Sequence, residues 1–570
     1  DYPKKVYLST DVNASVSYNS TFWSMFLPVK KNLQIGLGLV NALTVEELKA
    51  ILSHEFGHFS QQTMAVGSYV YNVNQIIFNT LYDNESYQKL IQKWADVSGY
   101  FYPFVALAVK INSGIQWILQ KLYNVVNISY LGLSREMEFH ADEIAAQITG
   151  CEPAKNALLR TPLADYAFNN VLDFYNRKIA DNLRSENLYK DQISVMKILA
   201  EINNIPLKND LPYISLEEQS KFDKSKLVIK NQWASHPTDK ERITKLLNTG
   251  ILYENNKDNL ANSIFKNIEE TQKQLTNKLF ESVNYQAEVK FISFEDFQKE
   301  YKNNVLSNSF SKIYNGYYDY KSPSHFKLTK NNLTNGSYDI KELFSDNKVN
   351  LIYTSVALQN DLEILKNISN NSIPAKTFDY DGVRYRRKDI NTLLGKLNTE
   401  FENLNEQIKQ NDISIYEYFE KIEREQNGKK KLEGLYCDFF EYDENFNSKY
   451  SLYTQLLNEL QFVNTTLPFD IIRANLNKIE PIEENLKVEI GKILSDSFYQ
   501  TEITDEMKQG LKSYTAETLE YFRTNQYNEK NLNILYTAMN TYAYLLSRGY
   551  FLMKKNLLAY QEEIVKNSQR

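Results

Sequence analysis

Five residues, His54-Glu55-Phe56-Gly57-His58, constrain this chain more than any other stretch. In a helix, residues four apart share a face, so His54 and His58 can offer two imidazole nitrogens to one metal ion. Glu55 sits about 100° round that helix from His54, placed to reach a water on the metal without ligating it. With five histidines in 570 residues, chance puts such a pattern in roughly 0.3% of chains of this composition. The metal reading therefore outweighs that of two stray surface histidines.

The flanks supply the rigid setting this chemistry needs. Thr44-Val45-Glu46-Glu47 is a capping box, and the helix it opens carries an apolar stripe of Leu48, Ile51, Leu52, Phe56 and Phe59. Upstream, Lys5–Thr10 reads as a strand. Leu33, Ile35, Leu37 and Leu39 alternate with Gln34, Gly36 and Gly38, a period of two that predicts another strand. Its glycines leave room for a second backbone along its edge.

Catalytic zinc usually takes three protein ligands, so one more must come from elsewhere. Within Ser134-Arg135-Glu136-Met137-Glu138-Phe139-His140-Ala141-Asp142, Glu138 is the best candidate. Asp142, four residues on, shares its face and can accept the N–H of a ligating histidine, fixing its tautomer. Glu136 and Glu143 compete on residue type alone, with no acidic residue four positions on. His140 lies about 200° from Glu138 and reads as an ordinary surface or core histidine. A third element is Ser235-His236-Pro237-Thr238-Asp239-Lys240-Glu241-Arg242-Ile243. Pro237 extends His236 and then starts a helix, so the imidazole projects from a helix N-terminus, where it can donate to an oxyanion. Arg242 can orient a carboxylate or the substrate backbone.

Taken in order, these three segments resemble the gluzincin metallopeptidases of the HtpX and CAAX prenyl-protein endopeptidase type, metallopeptidase family forty-eight. The likeness covers about residues 5–250. It implies a zincin catalytic domain with a small sheet and an active-site helix. It further implies one Zn2+ ion on His54, His58 and Glu138, Glu55 as general base and acid, and Asp142 supporting the ligands. His236 with Arg242 would stabilise the transition state. Asn13-Ala14, ahead of a strand at Ile35–Val40, resembles the family's substrate-edge region, with Ile35 and Leu37 on the same edge. The implied function is zinc-dependent hydrolysis of peptide bonds in membrane-linked protein quality control or processing, on protein or peptide substrates. The alternative is a zinc-containing scaffold or chaperone-like protein that binds partners and cleaves nothing.

The gap from His58 to Glu138 is longer than the smallest relatives need. Residues 64–130 are helical in pattern, with a stripe of Ile111, Ile115, Ile118, Leu122 and Val125 and aromatic residues Trp94, Tyr100, Phe101, Tyr102 and Trp117. This insert reads either as a packed helical hairpin or as a surface for a membrane or membrane proteins. Its longest apolar run, Tyr100 to Val109, is about half of the roughly 20 residues that cross a bilayer. The chain opens at Asp1 rather than Met, so we expect upstream sequence that associates it with a bacterial inner membrane, on a side left open.

The fold class expected overall is α+β, mostly α. A peptidase domain at 1–250 precedes a mixed connecting region at 251–389, with a hairpin turn at Asp381-Gly382, and a helical domain at 390–570. A net charge of −6 without a dense basic block argues against nucleic acid. Cys151 and Cys437 make no disulfide framework and lack the spacing of a thiolate zinc site. We assign no function to the 41 tyrosines.

Overall fold

The computed structural model describes residues 3–17, 32–60, 102–217, 224–229, 236–253, 259–328, 338–373, 375–426, 430–523 and 525–568. The first half of the expected insert, with Trp94, Tyr100 and Phe101, lies outside them. The fold is α+β and mostly helical. Two compact units make it up: Asp1–Asp223 with Leu227–Ser307 and Thr377–Arg384, and Lys224–Lys226 with Asn308–Lys376 and Tyr385–Arg570.

The first unit carries a three-stranded sheet. β3 (Asn32–Gly36) is its centre, parallel to β1 (Val6–Ser9) and antiparallel to β2 (Ala14–Ser17). Strand geometry stops at Gly36, and Leu37–Asn41 forms α1, where alternation predicts strand up to Leu39. All five residues of α1 are buried. An element buried on every side loses its amphipathic signature, so a short apolar run does not distinguish helix from strand. Gly36 is required where it stands: a Cβ there would lie 2.1 Å from the Asp11 carbonyl oxygen and 2.6 Å from that of Asn13. The approach of backbone expected at these glycines occurs here.

α2 (Val45–Ser60) starts at the anticipated capping box, Thr44 N–H reaching Glu47 at 2.8 Å and Glu47 N–H reaching Thr44 Oγ1 at 3.3 Å. Glu47 also pairs with buried Arg160, which donates to the carbonyls of Pro212 and Ala42. The site helix is thereby tied at its first turn to α4 (Cys151–Lys178). Between them runs α3 (Tyr102–Thr149), one 48-residue helix. Its expected stripe includes Ile115, Ile118 and Leu122, which with Trp117 are half or more exposed. Among the described residues no helix is long and apolar enough to cross a membrane.

The core of this unit joins α1, α4 and α5 (Leu188–Ile202) through residues such as Leu37, Val40, Val171, Tyr175 and Met196. α7 (Ile268–Phe280) and α8 (Phe294–Ser307) complete it: Phe280, Phe297 and Tyr301 are buried there, with the Tyr175 and Phe297 rings stacked 5.6 Å apart. Buried Asn41 ties these elements together, donating to the Tyr189 carbonyl and Gln192 and accepting from Asn262 and Gln272. α6 (Asp239–Asn248) lies between α4 and α7 in sequence order and carries part of the site.

The second unit is helical: α9 (Asp346–Ser369), α10 (Ile390–Glu425), α11 (Lys431–Glu459), α12 (Phe469–Ser495), α13 (Asp505–Ala516) and α14 (Glu529–Ser568). Tyrosine serves as core material. Tyr314, Tyr317, Tyr318 and Tyr436 are almost wholly buried, and the Tyr314 hydroxyl donates to the Leu558 carbonyl at 2.6 Å. A large ring with one polar tip fills such a core at least cost where the tip finds an acceptor, as that of Tyr314 does.

Candidate metal centre

The site forms where α2 and α3 press together. A Cβ on Gly57 would stand 3.1 Å from the Ala141 Cα and 3.2 Å from its Cβ. Glycine facing alanine therefore lets the two backbones approach closely, and the side chains on either side of that contact converge. They are His54 and His58 on α2, and Glu138 and Asp142 on α3. One ligand atom from each of His54, His58 and Glu138 can be chosen so that all lie within 4.8 Å of one another. His54 Nε2 stands 3.2 Å from His58 Nε2 and 3.3 Å from Glu138 Oε2; His58 Nε2 is 3.6 Å from Glu138 Oε1. Two imidazole nitrogens facing each other with a carboxylate between them suit a borderline cation with nitrogen and oxygen ligands.

Behind the ligands, the Asp142 carboxylate accepts on both oxygens. Its Oδ1 is 2.9 Å from His54 Nδ1 and 2.6 Å from Arg242 Nη2, and its Oδ2 is 2.8 Å from Arg242 Nε. Protonated at Nδ1, His54 keeps Nε2 as a bare donor atom towards the shared point. Arg242 comes from α6, whose start is fixed by a capping box of Thr238 with Glu241. That T-x-x-E pattern was present in the sequence; the helix begins at Asp239, behind Thr238, rather than at Pro237. The guanidinium is turned onto Asp142, so Arg242 orients a carboxylate of the protein itself. His236, with an exposed ring, places Nδ1 2.9 Å from Glu138 Oε1, a contact no sequence pattern announced.

The electrostatics follow from this crowding. Burial alone would lower the His54 pKa, but hydrogen bonds to Asp142 and Glu138 push it up to about 9. Burial and the neighbouring His54 charge bring His58 down to about 4. Burial would raise Glu138, yet the His54 hydrogen bond and surrounding positive charge hold it at about 2. Asp142 likewise stays below the usual carboxylate range, because Arg242 and His54 outweigh its burial. The ionised Glu138 carboxylate beside two imidazole nitrogens thus favours positive charge at the shared point, and an N,N,O donor set fits a divalent cation in that place. Glu55, in contrast, is pushed up to about 7, chiefly by burial.

A cavity of about 260 Å³ adjoins the cluster, with His54, Glu55, Asp142, Asp239 and Arg242 on its wall, and Asn13 and Ala14 beside them. Asn13 immediately precedes β2 and Ala14 begins it, an edge strand of the sheet. Ile35 and Leu37 do not share that edge. β3 is paired on both sides, and Leu37 has passed into α1. Of the competing acids, Glu136 faces Lys245 at 3.4 Å and is not among the three clustered groups, nor is Glu143.

A search of curated proteins and a search of solved structures find no match to this chain. The family model of peptidase family M48 does match, over residues 24–249. That span contains both histidines, Glu138, Asp142, His236 and Arg242, and over it the chain is similar to peptidase family M48.

Proposed function

We propose that the chain is a zinc-dependent endopeptidase in which Glu55 serves as general base and acid. The observation that carries this reading is the convergence of His54, His58 and Glu138 from two helices, beside Glu55 in an open cavity. His54, His58 and Glu138 would hold the ion, with Asp142 fixing the tautomer of His54 and Arg242 fixing Asp142. Zinc supplies Lewis acidity, which makes water nucleophilic near neutral pH. Glu55 takes a proton from the attacking water on a carboxylate oxygen and delivers it to the leaving amine nitrogen. Burial disfavours the ionised form and so raises Glu55 to about 7, which leaves both states accessible near neutral pH, where each is needed in turn.

The β2 edge at Ala14 offers backbone groups for an extended substrate. His236 stands at the rim with Nδ1 donating to Glu138, so Nε2 donates to an oxyanion only when the ring carries its second proton. The likeness to HtpX-type enzymes and the exposed apolar residues of α3 support a membrane-linked role on misfolded or processed proteins.

Glu55→Gln tests the mechanism. It should keep one zinc per chain and lower casein hydrolysis by about 10²–10⁴-fold. Full activity in that variant contradicts the assignment.

A further inference from the structure

The helix that carries both histidines, α2, is held on either side of His54 by contacts of different kinds. Three residues after His54, Gly57 meets Ala141 of α3. Seven residues before it, Glu47 meets Arg160 of α4. Seven residues advance a helix by about 700°, so Glu47 and His54 stand two turns apart on nearly one face. Glu47 and Arg160 are deeply buried, each 4% exposed, and their bonds are directional throughout. One Glu47 oxygen accepts from the Thr44 N–H at 2.8 Å and from Arg160 Nη1. Arg160 Nε donates to the Pro212 carbonyl at 2.7 Å, and Nη1 also reaches the Ala42 carbonyl at 3.4 Å. One guanidinium thereby joins the first turn of α2, the end of α1 and the strand pair Leu207–Lys208 with Leu211–Pro212.

Such a pair is a poor way to gain stability. Desolvation cancels much of its Coulomb energy, and well-packed apolar residues of like volume often serve as well or better. What it does provide is orientation. The apolar contacts of α2, from Leu48, Ile51 and Leu52 to the Gly57–Ala141 approach, resist separation but are not directional. A helix with its side chains is about 10–12 Å across, so a turn of about 20° about its axis moves a side-chain tip by about 2 Å. Metal–ligand distances tolerate about 0.2 Å. We infer, resting on the peptidase reading, that Glu47 and Arg160 are positioning residues for the metal centre, their buried pair fixing the rotation of α2 at which His54 and His58 meet Glu138. Asp142 and Arg242 orient the His54 ring; Glu47 and Arg160 orient the helix that bears it.

Variants of the full chain separate position from stability. Glu47→Gln keeps an acceptor for the Thr44 N–H but leaves the Arg160 charge buried without its partner, and should lower the urea midpoint. Adding Arg160→Met removes that charge and should bring the midpoint back towards wild type, while zinc affinity, measured by competition with a chelator, stays at least fivefold weaker than wild type. Cobalt(II) loaded in place of zinc reports ligand geometry through its visible absorption, and the double variant should show bands of altered position and intensity. Arg160→Lys keeps the charge without the planar fork; it should hold the midpoint nearer wild type than Glu47→Gln does, yet also alter the cobalt bands. If the double variant does not fold, Arg160→Lys decides alone. Wild-type zinc affinity with unchanged cobalt bands in the folded variants overturns the inference, as does a loss of affinity that simply follows the urea midpoint. Neither outcome touches the peptidase reading, which falls instead if zinc-loaded wild-type protein cleaves no casein.

Discussion

In the first unit, five ionisable side chains from three helices — His54, His58, Glu138, Asp142 and Arg242 — crowd within hydrogen-bonding reach of one another, whereas the second unit buries its charges in separate local arrangements. There, Lys321 pairs with Asp412; the Lys554 ammonium donates to the carbonyls of Tyr318 and Lys321; Glu483 accepts from Tyr514 and Tyr521. Among the described residues none of these brings three metal-binding groups together. The cluster in the first unit does, and its carboxylates favour positive charge, pushing His54 up to about 9. Burying polar groups is costly unless they are matched. The unit that leaves a shared demand for cation is the one built to bind something.

The same chemical change should therefore read out differently in the two units. Asp412→Asn removes the charge facing buried Lys321 and should cost about 3–5 kcal/mol in stability, with zinc affinity unaltered. Asp142→Asn should instead weaken zinc binding by about 10–100-fold. Equal zinc affinities in the two variants, measured by competition with a chelator, would erase the distinction. Next in size, Gly57→Leu forces α2 away from Ala141 and should destabilise by about 1–3 kcal/mol while lowering zinc affinity. A variant that keeps both stability and zinc would show that the close helix contact does not set the ligand geometry.

Acidity separates the units too. Burial, with Lys321 nearby, lowers the Lys554 pKa to about 7 from an ordinary 10.5. Between those values the unfolded chain holds more protons than the folded one, so stability from this group rises with pH across the window and is lowest below pH 7. The slope is up to about 1.4 kcal/mol per pH unit for one proton. Urea midpoints from pH 7 to 9 should show that rise, and Lys554→Met should flatten it; an unchanged slope refutes the role. The smallest effect belongs to Gly434, exposed on α11, where an added Cβ meets nothing within 4 Å. Gly434→Ala should stabilise by about 0.5–1 kcal/mol, against the loss at Gly57, and a loss there of similar size would remove the contrast.

The site was more legible than the fold around it, for a physical reason. His54, Glu55 and His58 obey helical spacing within five residues, and the pair Glu138 and Asp142 repeats that spacing. What joins them is tertiary. Gly57 against Ala141, Arg242 on Asp142 and His236 on Glu138 span up to 100 positions between partners and leave no local periodicity. The alanines in the cavity lining were likewise silent, since Ala50, Ala145 and Ala154 come together only once three helices meet. α1 misread as strand because burial on all sides hides period. The Thr44 capping box and the Asp381-Gly382 turn were readable because both are local; the turn joins strands Thr377–Tyr380 and Val383–Arg386, with φ of 51° and 75° at its two residues. The tyrosines of the second unit carried no positional signal, yet they build its core.

The central claim is that two helices jointly grip one divalent ion, and zinc titration of the metal-free chain tests it most directly. Wild-type protein should bind one equivalent. Glu138→Ala and His54→Ala should each lose at least tenfold in affinity, whereas His140→Ala, on the same helix as Glu138 but outside the cluster, should not. Undiminished one-to-one binding in Glu138→Ala would contradict the account.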